Sequence, residues 1–130
     1  MSTTDHALIL FAHGARDPQW AEPFMRIRDQ IAHKLPDALV TLAFLEIMKP
    51  SLEKAIDDFA AKGIVRITLV PLFMAQGGHL KEDLPKLIAG IQLRHPALLF
   101  NITPAIGEVD NILYMIAEWA AGAFVENDAR

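Results

Sequence analysis

Two histidine–glycine clusters stand out in a 130-residue chain with five histidines and no cysteine. His13-Gly14 follows one apolar run, and Gly77-Gly78-His79 follows another. Glu46 follows a third. Two imidazoles and a carboxylate make a nitrogen/oxygen donor set for a borderline divalent ion such as Co²⁺, Ni²⁺ or Fe²⁺. A histidine also exchanges protons near neutral pH, and a carboxylate beside it either orients the ring or takes the proton itself. Glycines next to the histidines let the backbone approach a bulky ligand. Arg16, Lys49 and Lys81 lie near the same clusters and suit an anionic partner. The lack of cysteine excludes a disulfide scaffold, a thiolate zinc or iron–sulfur site and a cysteine nucleophile. Each of these residues taken singly is also an ordinary solvated loop residue, so placement has to separate the two readings.

The placement follows from the apolar patterning. Residues 7–12 are a continuous apolar run, as in a strand buried on both faces. Asp17-Pro18 breaks the chain, and Trp20, Phe24, Ile27, Ile31 and Leu35 then recur at helical spacing up to Pro36. Residues 38–45 form a second strand. Ser51 is a candidate N-cap for a helix with the stripe Leu52, Ala55, Ile56, Phe59 and Ala60, and Gly63 stands at its left-handed C-terminal stop. Residues 64–72 are a third strand, and residues 74–83 read as a long loop. Leu84, Leu87, Ile88 and Ile91 mark a third helix, with Pro85 expected in its first turn. His79 then falls in the loop or at the helix entrance. Residues 98–103 are a fourth strand. The last helix, opened by Gly107, Glu108 and Asp110, carries the stripe Val109, Ile112, Leu113, Ile116, Trp119/Ala120 and Phe124, with Trp119 a core or interface residue.

Strict β-α alternation with buried strands implies an α/β fold. The expected architecture is a four-stranded parallel sheet, doubly wound in the order 2-1-3-4, in one domain over residues 1–130. In such sheets ligands bind beyond the carboxyl ends of the strands, where the strand order reverses. That point lies between strands 1 and 3, so His13 and His79 converge there, with Glu46 on the neighbouring strand end. Four helix N-termini and the three cations make the same edge attractive to anions. His6, His33 and His95 belong to the opposite edge or to a polar helix face and read as surface residues.

Composition removes other classes. Apolar residues make up 52% and the net charge is −4 without basic runs, which excludes general disorder and argues against nucleic acid as a partner. The apolar runs are too short to span a bilayer and no basic leader precedes the first one, so a cytoplasmic protein is expected. A mean hydropathy of +0.25 points to an apolar subunit interface.

Two stretches, His13-Gly14-Ala15-Arg16-Asp17-Pro18 and Pro71-Leu72-Phe73-Met74-Ala75-Gln76-Gly77-Gly78-His79-Leu80-Lys81-Glu82-Asp83-Leu84-Pro85, resemble the two signatures of the short-form sirohydrochlorin chelatases of CbiX type. Pro104-Ala105-Ile106-Gly107-Glu108 is similar to a third, weaker one. The resemblance implies a half-size chelatase fold, a homodimer that encloses one cleft, and insertion of Co²⁺, Ni²⁺ or Fe²⁺ into a sirohydrochlorin-type tetrapyrrole. It implies that His13 and His79 are metal ligands. Ala15 replaces a serine common in the family, and the histidine-rich segment of some members is missing.

The chemistry agrees with the residues. Insertion exchanges two pyrrole N–H protons for one M²⁺, so it needs ligands that bind and then release the ion, and a proton acceptor. That makes His13, Glu46 and His79 the catalytic candidates, with Arg16, Gly77, Gly78 and Lys81 toward the substrate's carboxylates. No organic cofactor is called for, and no P-loop sequence is present. Three alternatives remain at this level. A histidine phosphatase needs an arginine where Ala12 stands. A flavodoxin-like module needs hydroxyl residues in the first loop, and residues 13–19 have none. A non-catalytic metal carrier would use the same ligands.

Overall fold

The computed structural model describes residues 5–75 and 77–128; the side chains of residues 78 and 79 lie outside that description. Strands β1 (His6–Ala12), β2 (Leu39–Phe44), β3 (Arg66–Pro71) and β4 (Leu99–Ile102) alternate with helices α1 (Glu22–Lys34), α2 (Leu52–Ala61), α3 (Gly78–Arg94) and α4 (Asp110–Asp128). Short 3-10 turns at Pro18–Ala21 and Ile106–Glu108 precede α1 and α4. The sheet is parallel throughout, in the order β2-β1-β3-β4. The strand order expected from the alternation is therefore the order found.

Side chains alternate across β1, which explains why a central strand reads as uninterrupted apolar sequence. Ile9 and Phe11 join Ile67 and Leu69 in a core closed by Ile56 and Phe59 of α2 and Ile88 and Ile91 of α3. Leu10 and Ala12 join Leu42 and Phe44 in a second core, covered by Ala21, Phe24, Met25 and Ile31. Ser51 caps α2 by accepting the Lys54 N–H at 3.1 Å. Gly63, at φ +87°, ends it, while the Gly63 and Ile64 N–H groups donate back to the Ala60 and Phe59 carbonyls. That paired closure is a Schellman motif.

Two expectations are corrected. The long loop before α3 is shorter than the sequence suggests, because Gly77 adopts an extended N-cap conformation and the helix starts at Gly78. Pro85 thus lies inside the helix, not in its first turn. It leaves the Lys81 carbonyl without its helical donor, a cost of about 3 kcal/mol. Burial of Leu84, Ile88 and Ile91, each worth roughly 1.5–3 kcal/mol, offsets that loss. The apolar stripe of α4 lies outside both cores: no α4 residue is buried, and Trp119, read as a core or interface residue, is 77% exposed.

Among the described residues, no helix is long and apolar enough to cross a membrane.

Candidate functional site

The β1–β2 pairing does not stop at the strand ends. The Leu45 N–H donates to the Ala12 carbonyl at 2.9 Å and the Glu46 N–H to the His13 carbonyl at 3.1 Å. This two-residue extension brings His13 and Glu46 side by side at the carboxyl edge. Their side chains meet, with His13 Nε2 2.8 Å from Glu46 Oε1, both about half exposed. An ionised carboxylate only accepts hydrogen bonds, so Nε2 carries a proton in this contact, and whenever the ring is neutral the lone pair is on Nδ1. The pair is an oriented imidazole with one free donor nitrogen.

The backbone around this pair is under constraint. Gly14 is buried with φ +97°, and a Cβ at that position would collide with the Glu46 carbonyl oxygen. The close approach expected of this glycine is therefore made to the chain itself. The same Glu46 oxygen accepts the Met48 N–H at 2.7 Å, closing a γ-turn about Ile47, whose φ is +69°. Positive φ at a β-branched residue costs roughly 1–3 kcal/mol and persists only where surroundings impose it. The turn leaves Ile47 60% exposed beside the histidine–carboxylate pair.

The β3 end is held in a similar way. The Leu72 N–H donates to the Phe11 carbonyl at 2.8 Å, and the buried Phe73 ring meets Phe11 edge-on at 5.6 Å. Gly107 donates its N–H to the Phe73 carbonyl at 3.0 Å, and a Cβ on Gly107 would run into the Met74 backbone. The third sequence signature thus supports the loop of the second from below. Sequence reasoning overlooked Ile47, and it read Gly107 as a helix opener and a member of the third signature without foreseeing this contact. The Gly107-Glu108 pair carries no local mark of a contact made 33 residues away.

The sequence-derived candidates fall as follows. His13 and Glu46 are brought together. Gly77 caps α3, and His79 is the second residue of that helix, at its entrance; the side chains of Gly78 and His79 lie outside the described residues. Lys81 is exposed in the first turn of α3, where no acidic residue offsets the helix dipole. Arg16 is exposed just beyond Gly14. Among the described residues, no three metal-ligating side chains converge.

The other histidines lie away from this edge, but only His33 is fully at the surface. His6 is half-buried with Nε2 2.9 Å from Thr68 Oγ1, and His95 ends α3 with Nε2 2.7 Å from Asp57 Oδ1. The surface reading of these two is corrected, because each ring nitrogen meets a side-chain oxygen of a neighbouring element, Thr68 of β3 for His6 and Asp57 of α2 for His95. Met48 packs in the second core, while Met74 is 57% exposed.

Known proteins resemble this chain in sequence and in fold. A sirohydrochlorin cobaltochelatase of Methanosarcina acetivorans is 37% identical over 82 residues, which is 63% of this chain and 63% of that protein. One from Saccharolobus islandicus is 35% identical over 81 residues, 62% of each chain. The matched region thus spans less than two thirds of these relatives. The crystal structure of a putative cobalamin biosynthesis CbiX protein from Marinobacter aquaeolei superposes with a TM-score of 0.81 at 27% identity, covering 93% of this chain and 98% of that one. The cobalt complex of the sirohydrochlorin chelatase SirB from Bacillus subtilis shares the fold with a TM-score of 0.70 at 23% identity, covering 81% of this chain but 45% of SirB. The CbiX family model matches residues 7–123, from the start of the buried run of β1 well into α4, and with both strand-end signatures inside that span the chain belongs to the CbiX family.

Proposed function

We propose that this protein inserts a divalent metal ion, Co²⁺ foremost and Ni²⁺ or Fe²⁺ in its place, into a sirohydrochlorin-type tetrapyrrole, a step of cobalamin or siroheme biosynthesis. The names of the curated relatives support the reaction and the metal. The observation that carries the reading in this chain is the 2.8 Å contact between His13 Nε2 and Glu46 Oε1 at the end of the central strand.

The metal enters as a substrate. His13, held by Glu46, offers Nδ1 to the ion, and His79 at the entrance of α3 is the second ligand. Two neutral imidazoles bind a borderline ion firmly enough to capture it and loosely enough to release it. Each insertion liberates two pyrrole protons. Glu46, whose side chain is about half exposed, and the imidazoles form the path that takes them to water. Arg16 and Lys81 bind carboxylates at the rim of the macrocycle, and Gly77 and Gly78, lacking side chains, let the macrocycle approach the α3 backbone. The unopposed positive end of α3 favours the same anionic rim.

The functional unit in this reading is a cytoplasmic homodimer of one-domain chains, without an organic cofactor. A tetrapyrrole is a disc roughly 10 Å across, and binding sites bury most of such a ligand, so two facing lobes suit it better than one open edge.

The test is the absorbance of sirohydrochlorin incubated with each metal, with and without protein. Faster insertion with wild type, lost in His13→Ala and His79→Ala, is expected. Metal binding without any acceleration would overturn the enzyme reading and leave a carrier.

A further inference from the structure

Two apolar side chains stand exposed at the carboxyl edge, and both are fixed there by their backbones. Ile47 follows β2 and is 60% exposed. It is the one non-glycine residue with positive φ among the described residues, a conformation that asparagine or glycine adopts at far lower cost. The strain gains the chain no packing, because Ile47 belongs to neither core. Met74 follows β3 and is 57% exposed, while its neighbour Phe73 is buried against Phe11. Gly107 presses on the Met74 backbone and donates its N–H to the Phe73 carbonyl at 3.0 Å. Single exposed apolar residues are ordinary on a protein surface. A strained one and a propped one on the same edge call for an occupant.

Their spacing matches a flat ligand. The strand order puts β1 between β2 and β3, so Ile47 and Met74 lie on opposite sides of His13. Neighbouring strands are about 4.8 Å apart, and two such spacings separate the β2 and β3 ends by roughly 10 Å. A tetrapyrrole disc has that width, with apolar π faces and carboxylates confined to its rim. The edge offers the same pattern of apolar and charged groups: Ile47 and Met74 at the strand ends, and the exposed cations Arg16 and Lys81 in the loop and helix beyond them. A thioether also makes favourable contacts with π systems.

We propose that Ile47 and Met74 are substrate-contact residues that seat one face of the macrocycle flat across the strand ends, with His13 at the ring centre. The proposal rests on the chelatase reading and adds to it the orientation of the substrate. A macrocycle seated in this way presents its four nitrogens to the ion at His13 Nδ1 and its rim carboxylates to Arg16 and Lys81. One entering rim-first would press charged groups against two apolar side chains, which costs desolvation without a partner. The Ile47 turn also links seating to proton transfer. Its closing bond, from the Met48 N–H to the Glu46 carbonyl at 2.7 Å, belongs to the residue that orients His13. One turn thus positions both the ring contact and the histidine's partner.

Fluorescence titration of metal-free sirohydrochlorin with the full chain tests the proposal, alongside calorimetry with Co²⁺. Ile47→Asn keeps a residue that tolerates positive φ, and Met74→Gln keeps the length of the side chain. Each should weaken sirohydrochlorin binding about tenfold, the scale of a lost apolar contact, and leave Co²⁺ affinity unchanged. The loss should persist at high salt, whereas the loss in Arg16→Gln should fade there. Ile47→Val and Met74→Leu, which keep the apolar contact, should lose far less. Leu93→Gln, exposed near the far end of α3, should bind as wild type. Circular dichroism checks each variant, and if Ile47→Asn fails to fold, the Met74 pair carries the test. Wild-type sirohydrochlorin affinity in Ile47→Asn and Met74→Gln overturns the proposal alone, since the wild type still binds and inserts. So does a loosened dimer in sedimentation with unchanged sirohydrochlorin affinity, which would mean that these side chains meet a second copy. A wild type that binds no sirohydrochlorin overturns the chelatase reading, and the seat with it.

Discussion

Gly14 lies so close to the Glu46 carbonyl that no side chain fits between them at the carboxyl edge of β1 and β2. A Gly14→Ala change adds a clash to an unfavourable positive φ. Chemical denaturation should show a loss of about 2 kcal/mol or more. Gly77→Ala is the contrast, since Gly77 has φ −60° and open space around a Cβ. It should keep wild-type stability, so any rise in its KM for the tetrapyrrole reports substrate contact alone.

The strained turn at Ile47 makes a separate prediction. Ile47→Gly removes the steric cost of φ +69°. The unfolding free energy should rise, by up to about 1 kcal/mol, while kcat for insertion falls because Glu46 is held less firmly. An unchanged kcat would show that the turn has no part in the reaction.

His13 and Glu46 act as a unit through their 2.8 Å contact. Calorimetry with Co²⁺ should show affinity lowered at least about tenfold in His13→Ala and, through loss of the orienting charge, about tenfold in Glu46→Gln. His33→Ala, on the exposed face of α1, should bind as wild type. Glu46→Gln should also lower the insertion rate and alter its pH profile, which a purely structural role would leave unmoved. Wild-type metal binding by His13→Ala would falsify its assignment as a ligand.

Pro85 interrupts α3 at an interior position. Pro85→Ala restores a donor for the Lys81 carbonyl, and the helix should gain about 1–2 kcal/mol, less than the full proline penalty because the unfolded chain also becomes freer. Urea denaturation measures it. A loss of stability would mean that the ring packs usefully where it stands.

Much of this was legible in the sequence for a local reason. Apolar runs such as residues 7–12, the Ser51 cap and the Gly63 stop are set by neighbours within one turn or strand. Right-handed connection then leaves few ways to order four parallel strands, and the order in turn puts His13 and Glu46 at one edge. The strand-end signatures were enough to single out the CbiX family. What the tertiary structure alone decided depends on residues far apart in the chain. The bond between His13 and Glu46, the collision course of Gly107 with Met74 and the positive φ of Ile47 arise from pairing across 33 residues or from loops pressed together. Helix α4 shows the same division most plainly. Its apolar spacing determined that it is a helix with something to bury, but periodicity does not say which surface receives it, and within one chain none does.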